Sequence, residues 1–347
     1  MNAPVRALII DDSATMRAAL TRILSADPEI EVVGAAPEPH AARAMIKELN
    51  PDVLTLDVEM PGMDGLSFLE KVMRLRPMPV VMCSTLTARG ADITIEALRL
   101  GAVDCIAKPA GNPLEIARDA ALLRETVKAA ARSSVRPRTR VPANAQPARP
   151  MGHQGELVIA IGASTGGVEA LFALLSALPL DCPPVLVVQH MPQGFTSSFA
   201  TRLDRECKIR VKEATDGEPI EPGTVYIAPG GDRHMQLAGG ARGRIRLHRA
   251  DPESGHRPSV DALFRSVAAV GPDAVGVILT GMGADGANGL LAMRQAGART
   301  LGQSRESCVV YGMPRSAFAI GAVEKEVSLS TMAEAILGAC RTQGQER

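Results

Sequence analysis

Aromatic side chains are scarce: Trp is absent, Tyr occurs twice and Phe six times in 347 residues. Stacking platforms for single-stranded nucleic acid are therefore lacking. The core has to be aliphatic, built from Val, Ile, Leu, Ala and Met, which suits buried parallel strands. An excess of either charge is missing too, since 38 basic side chains balance 38 acidic ones. Bulk attraction to nucleic acid or to a membrane surface then has no source. The six cysteines, Cys83, Cys105, Cys182, Cys207, Cys308 and Cys340, form no C-x-x-C pair. A chain of this size is too large for a disulfide scaffold. No apolar run reaches about 18 residues, and the first residues pass straight into a strand pattern with no leader-like segment. A cytoplasmic location without membrane insertion is the expectation.

What is present is strand–helix alternation, twice over. Strand candidates in the first part are Ala7–Ile10, Glu31–Ala35, Val53–Leu56, Val80–Cys83 and Asp104–Ala107. Helical patterns fall between and after them at Ser13–Ala26, Pro39–Leu49, Ser67–Arg74, Ala91–Leu100 and Leu114–Thr126. This predicts an α/β, doubly wound (βα)5 domain over 1–125. Asp11 and Asp12 follow the first strand, Asp57 the third, Ser84 the fourth and Lys108 the fifth. Parallel strands put all of these on one rim, the edge where such sheets bind ligands. The carboxylates suit a hard divalent cation, with Mg2+ the expectation; Ser84 and Lys108 suit an anion beside it.

That constellation resembles a response-regulator receiver domain. The match rests on Asp11-Asp12, the run Asp57-Val-Glu-Met-Pro-Gly-Met-Asp-Gly65, Ser84 and Lys108-Pro109. The resemblance implies that Asp57 accepts a phosphoryl group from a histidine kinase. It also implies Mg2+ held among Asp11, Asp12, Asp57 and the carbonyl of Glu59, with Ser84 and Lys108 on the phosphoryl oxygens. Cys105 departs from it, standing where many receivers carry an aromatic switch residue.

The pattern dissolves over 126–154, although Ala129–Arg132 also fits a continuing helix. Ser133–Pro150 is rich in Pro, Ala and Arg and holds no acidic residue, so this stretch is predicted to be a linker, partly extended by its prolines. Its arginines fit docking to an acidic partner and fit a solubilising tether equally well.

Alternation returns over 155–347. Strand candidates are Leu157–Ile161, Pro184–Gln189, Val225–Ala228, Ala274–Leu279 and Arg299–Gln303. Helices are predicted over Gly167–Ala177, Thr196–Arg205, Val260–Val270, Ala287–Ala296 and Thr331–Cys340. The segment Glu218–Gly240, with Arg244–His248, predicts a small β-hairpin insertion in a mainly parallel α/β domain.

The first of these strands stops in a small-residue turn that presents Ser164 between Gly162 and Gly166. Such a turn admits a nucleophile or a phosphate cradle. His190 ends the second strand, and Asp285 follows the strand Ala274–Leu279. If the strands are parallel, a serine, a base and an orienting carboxylate share one rim. A dinucleotide turn is the rival reading. It lacks a G-x-G-x-x-G, and His190 stands where an acidic residue would end the second strand. Asp261 and Asp232 compete with Asp285. Asp261 sits in the first turn of a helix capped by Ser259, where the helix dipole explains it; Asp232 is a turn residue. The other histidines, His40, His153, His234, His248 and His256, show no metal-ligand spacing and default to surface positions or local hydrogen bonds.

Five motifs then resemble the CheB methylesterases: Gly162-Ala-Ser-Thr-Gly-Gly167, Gln189-His-Met-Pro192, Ala228-Pro-Gly230, His256-Arg-Pro-Ser-Val-Asp261 and Leu279-Thr-Gly-Met-Gly-Ala-Asp-Gly286. The receiver–linker–esterase order of that family is matched end to end. The resemblance implies a phosphorylation-regulated hydrolase that removes methyl esters from chemoreceptor glutamates and deamidates certain glutamines. Ser164 would be the nucleophile, His190 the base and Asp285 the orienting acid, with Thr165 and the backbone of Met282 at the oxyanion. The implied partners are methyl-accepting chemotaxis receptors as substrate and a CheA-type histidine kinase as phosphodonor, with no cofactor in the esterase site. Ala284 stands where relatives often carry Asn. A non-enzymatic signalling adaptor, a receiver fused to a ligand-binding module, is the alternative from another class.

Overall fold

The computed structural model describes residues 3–60, 65–84, 87–109, 112–133 and 157–345. Most of the predicted linker, from 134 to 154, and positions 61–64 of the run after Asp57 lie outside these. The chain divides into two compact units, Met1–Thr139 and Arg140–Arg347. No helix among the described residues is long and apolar enough to cross a membrane.

The first unit is a five-stranded sheet made of β1 (Val5–Ile10), β2 (Ile30–Ala36), β3 (Val53–Asp57), β4 (Val80–Ser84) and β5 (Asp104–Ala107). The order is β2-β1-β3-β4-β5 and every pairing is parallel. The central β3 and β4 are buried along their whole length, as their apolar runs dictate. Between and after the strands run α1 (Ala14–Ser25), α2 (Pro39–Leu49), α3 (Gly65–Leu75), α4 (Ala88–Arg99) and α5 (Pro113–Ala131). Ser13 caps α1, its hydroxyl accepting from the Met16 amide at 3.3 Å.

Helix α5 runs past the end predicted at Thr126. The extra turn buries Val127 and Ala130. It also carries Lys128, whose Nζ lies 2.9 Å from Asp27 Oδ2, 3.1 Å from Glu29 Oε2 and 2.8 Å from Glu125 Oε1. A cation matched to three carboxylates holds a turn that a compositional reading assigns to the linker.

The second unit is built on seven strands: β6 (Val158–Ala163), β7 (Val185–Gln189), β8 (Arg210–Glu213), β9 (Thr224–Ile227), β12 (Ala274–Ile278), β13 (Arg299–Gln303) and β14 (Lys325–Val327). They pair in the order β14-β13-β12-β6-β7-β9-β8, all parallel. The expected hairpin is β10 (Arg233–Ala238) against β11 (Arg244–Arg249), antiparallel, with His234 opposite His248. The helices are α6 (Gly167–Leu175), α7 (Phe195–Glu206), α8 (Val260–Ala268), α9 (Ala287–Gln295), α10 (Met313–Ala319) and α11 (Leu329–Gln345). The hydrophobicity pattern predicts neither β8 nor β14. Both are short, charged edge strands, a composition that blunts an edge and hides it from a hydrophobicity pattern.

The strand order positions the site. From β6 the chain moves outward to β7, on to the edge strand β8 and back to β9 between them, then returns to β12 and moves the other way to β13 and β14. The reversal lies between neighbours β6 and β12, so their carboxyl ends flank a crevice of the kind where open α/β sheets bind ligands. All three central strands, β12, β6 and β7, are fully buried.

Candidate active site

Ser164 follows β6 directly and is half-buried. Its amide donates to Thr280 O, 3.0 Å away on the loop after β12, and its carbonyl accepts from the Gly167 amide at 2.7 Å. The β12 loop comes so close that a Cβ on Gly281 would fall 2.8 Å from Ser164 Cβ. Among the described residues Ser164 Oγ makes no hydrogen bond.

The β6–β7 register aligns Ala163 with Gln189, so the next step sets Ser164 beside His190. The His190 amide donates to Ala163 O at 3.1 Å. The Gln189 side chain bridges the junction. Its Nε2 donates to the Ser164 carbonyl at 3.0 Å and to the His190 carbonyl at 3.1 Å. His190 Nε2 lies 2.9 Å from Asp285 Oδ2, while its Nδ1 is buried with no partner.

Asp285 is 1% exposed and fully engaged. Oδ1 accepts from Ser259 Oγ at 2.8 Å and the Asp261 amide at 3.0 Å; Oδ2 accepts from the Val260 amide at 2.8 Å. The carboxylate thus sits on the N-terminus of α8, where helix amides favour negative charge. Burial alone would push the carboxyl up, but His190 and the Val260 and Asp261 amides outweigh it and hold it at about 2. Glycine at 162 makes this seating possible: a Cβ there would stand 2.2 Å from Val260 Cγ1.

The loop after β12 is fixed at several points. Gly281 donates its amide to Val310 O at 3.0 Å and accepts on its carbonyl from the Gly312 and Met313 amides at 3.0 and 2.8 Å. Ser316 Oγ donates to Gly283 O at 3.2 Å. Between them the Met282 amide makes no hydrogen bond among the described residues. Thr165 is buried, and its carbonyl accepts from Thr280 Oγ1 at 3.0 Å. Gln303, at the end of β13, accepts the Thr280 amide on Oε1 at 2.8 Å and donates from Nε2 to Ser307 O at 2.7 Å.

In the first unit the carboxylates of Asp11, Asp12 and Asp57 gather, one oxygen from each lying within 4.8 Å of the others. Lys108 Nζ stands 2.8 Å from both Asp11 Oδ2 and Asp57 Oδ2. Ser84 is buried and its carbonyl accepts from the Lys108 amide at 2.8 Å. The Glu59 amide donates to Asp57 Oδ1 at 3.3 Å. Burial raises the Asp57 carboxyl, and neighbouring Asp11 adds to this against the pull of Lys108. A hard, all-oxygen donor set in which one carboxylate is held up by burial fits a small divalent cation.

Residues 159–336 match the family model of the CheB methylesterase, and residues 7–118 that of the response regulator receiver domain. The chain belongs to the CheB methylesterase family. A protein-glutamate methylesterase/protein-glutamine glutaminase of Caulobacter vibrioides is 58% identical over 344 residues, spanning 96% of this chain and 98% of its own. Its counterpart from Rhizobium johnstonii is 55% identical over 350 residues, with both chains fully covered. The crystal structure of the Thermotoga maritima CheB methylesterase catalytic domain is 39% identical, with a TM-score of 0.51, covering 52% of this chain and 97% of that one.

Within this CheB-family chain the residues singled out by sequence fall into two groups. Ser164, Thr165, His190, Met282 and Asp285 come together at the β6–β12 crevice of the second unit; Asp11, Asp12, Asp57, Glu59, Ser84 and Lys108 come together on the rim of the first. Asp232 is a turn residue paired with Arg249 at 2.7 Å. Asp261 does more than face its own helix dipole. It is buried and accepts the Gly289 amide at 2.6 Å, joining α8 to α9.

Of the other histidines, His234 makes local hydrogen bonds, as its default allows, and His256 does something more. His234 is 2% exposed. Its Nδ1 accepts from the Ser259 amide at 3.1 Å, so the proton lies on Nε2, which donates to Asp251 O at 3.0 Å. His256 stacks on His190, ring centroids 3.7 Å apart and planes 7° from parallel. The only sequence signal for either is the run from His256 to Asp261, which marks a motif without saying which ring its histidine touches.

Proposed function

We propose that the second unit hydrolyses γ-glutamyl methyl esters on chemoreceptors, releasing methanol, and converts certain receptor glutamines to glutamate with release of ammonia. The observation that carries this reading is the His190–Asp285 pair at 2.9 Å beside Ser164 on adjoining strand ends. Membership of the CheB family supports the substrate class.

Ser164 Oγ attacks the side-chain carbonyl and passes its proton to His190. Asp285 holds the Nε2 proton and stabilises the imidazolium, which leaves Nδ1 as the accepting atom. Negative charge develops on the carbonyl oxygen, and the Met282 amide and the Thr165 region of the turn are the donors suited to it. His190 returns its proton to methanol or ammonia as the leaving group departs, giving an acyl-serine. Water then attacks with His190 as base, and the glutamate carboxylate leaves with Ser164 restored. One water is consumed and one carboxylate is formed in either reaction.

The first unit regulates this chemistry. Asp57 takes a phosphoryl group from a CheA-type histidine kinase. Asp11, Asp12 and Asp57 would hold Mg2+, which would neutralise charge on the transferring phosphoryl group, and Ser84 and Lys108 would meet that group's oxygens. Added negative charge on a rim of buried carboxylates reorders the loops around it.

Incubation with a methyl-labelled receptor fragment, with and without a small phosphodonor, tests both halves. Labelled methanol should appear with the natural chain, rise with phosphodonor, and vanish in Ser164→Ala. Release persisting near the original rate in that variant would remove the serine mechanism.

A further inference from the structure

The ring of His256 lies flat on the ring of His190, 3.7 Å between centroids and 7° between planes. Its presentation is built rather than incidental. Glu253 and His256 exchange both backbone bonds, Glu253 N to His256 O at 3.0 Å and His256 N to Glu253 O at 2.9 Å. The residues between them, Ser254 and Gly255, have φ of 52° and 81°, the left-handed pair that a tight two-residue turn demands. On one side the Glu253 carboxylate pairs with Arg265 of α8. On the other, Arg257 donates to Gly231 O at 3.0 Å and to Ala250 O at 2.7 Å.

The same stretch goes on to supply Ser259 Oγ and the Val260 and Asp261 amides to Asp285. Residues 253–261 therefore hold both sides of the base, its face through His256 and its carboxylate through the start of α8. One hydrogen bond at Nε2 fixes a point on an imidazole but leaves the ring free to rock about it. A parallel plane in van der Waals contact removes that freedom and shields one face of a side chain that is only 8% exposed.

We propose that His256 is a positioning residue for the reaction: it fixes the plane of the His190 imidazole so that Nδ1 stays aimed at the serine, and keeps water from one ring face. The proposal rests on His190 being the base, as read above. A flat ring is what the role needs. An imidazole proton on His256 is not, so phenylalanine should substitute where alanine and leucine do not.

The full chain is prepared as H256A, H256L and H256F, with S164A alongside, and assayed for labelled methanol from a methylated receptor fragment. H256A and H256L should lose about 10- to 100-fold in kcat, as expected for a misaimed catalytic group, with KM little changed. H256F should recover most of that loss. Proton NMR should show the ring-current displacement of the His190 ring protons kept in H256F and lost in H256A and H256L. If H256A does not fold, H256F against H256L decides alone. Wild-type kcat in H256A, or H256F falling as far as H256L, overturns the proposal. Methanol release by S164A at the wild-type rate removes the serine chemistry itself, whatever happens at position 256.

Discussion

His190 meets Asp285 through Nε2, at 2.9 Å, and keeps Nδ1 buried and unpartnered. Because Asp285 is held ionised, Nε2 must be the donor, so the neutral imidazole carries its lone pair on Nδ1. Nitrogen-15 spectra of the neutral imidazole should show the Nε2–H tautomer. In Asp285→Asn the side-chain amide can present its own N–H, which favours the opposite tautomer and takes the lone pair from the serine side. Turnover should fall on the order of 10^3- to 10^4-fold with the fold retained. Circular dichroism beside methanol release checks this, and an active Asn variant contradicts it.

Asp285 also makes stability depend on acid. Its carboxyl lies at about 2 in the folded chain against an ordinary 3.8. A depressed folded pKa gives stability that is present above the unfolded value and is lost as pH falls towards the folded one. The shift corresponds to on the order of 2 kcal/mol, lost between roughly pH 4 and pH 2. Thermal melts of the wild type should steepen downward over that window, and Asp285→Asn should remove most of that slope.

The two glutamines at strand ends should be costly to lose. Gln303→Leu strips the Thr280 amide and the Ser307 carbonyl of their partners, and Gln189→Leu strips the Ser164 and His190 carbonyls. An unpaired buried polar group costs about 1–3 kcal/mol, so each variant should melt several degrees lower, at roughly 2–4 °C per kcal/mol. Each should also lose kcat beyond what its melting temperature explains. Wild-type kcat in both would show that neither loop depends on its clamp.

On the first unit, Asp57 is raised by burial beside Asp11, a strain that a divalent cation relieves. Magnesium should raise the melting temperature of the wild type, and Asp57→Asn should blunt that rise and abolish the response of esterase activity to phosphodonor. Calorimetry and the methanol assay read the two effects separately.

The strand ends were legible because burial and chemistry change at the same residue. The apolar run Val158–Ala163 ends in Ser164, and the run Val185–Val188 ends in Gln189 and His190. Parallel pairing then forces those ends together. The same logic exposed the Asp11, Asp57 and Lys108 rim. What stayed hidden depends on side-chain direction or on ion pairing. Gln189 and Gln303 read as polar strand ends, and nothing in their spacing says that they hold loops. His256 reaches His190 only through a turn set by Ser254 and Gly255. The last turn of α5 is held by Lys128, whose partners Asp27 and Glu29 are far away in the chain.

The loop that carries Met282 has an order of manufacture built into it. Its anchors Gln303, Val310, Gly312 and Met313 are all synthesised after it. A chain cut short before Gln303 would therefore carry Ser164, His190 and Asp285 but none of these braces for the Met282 loop.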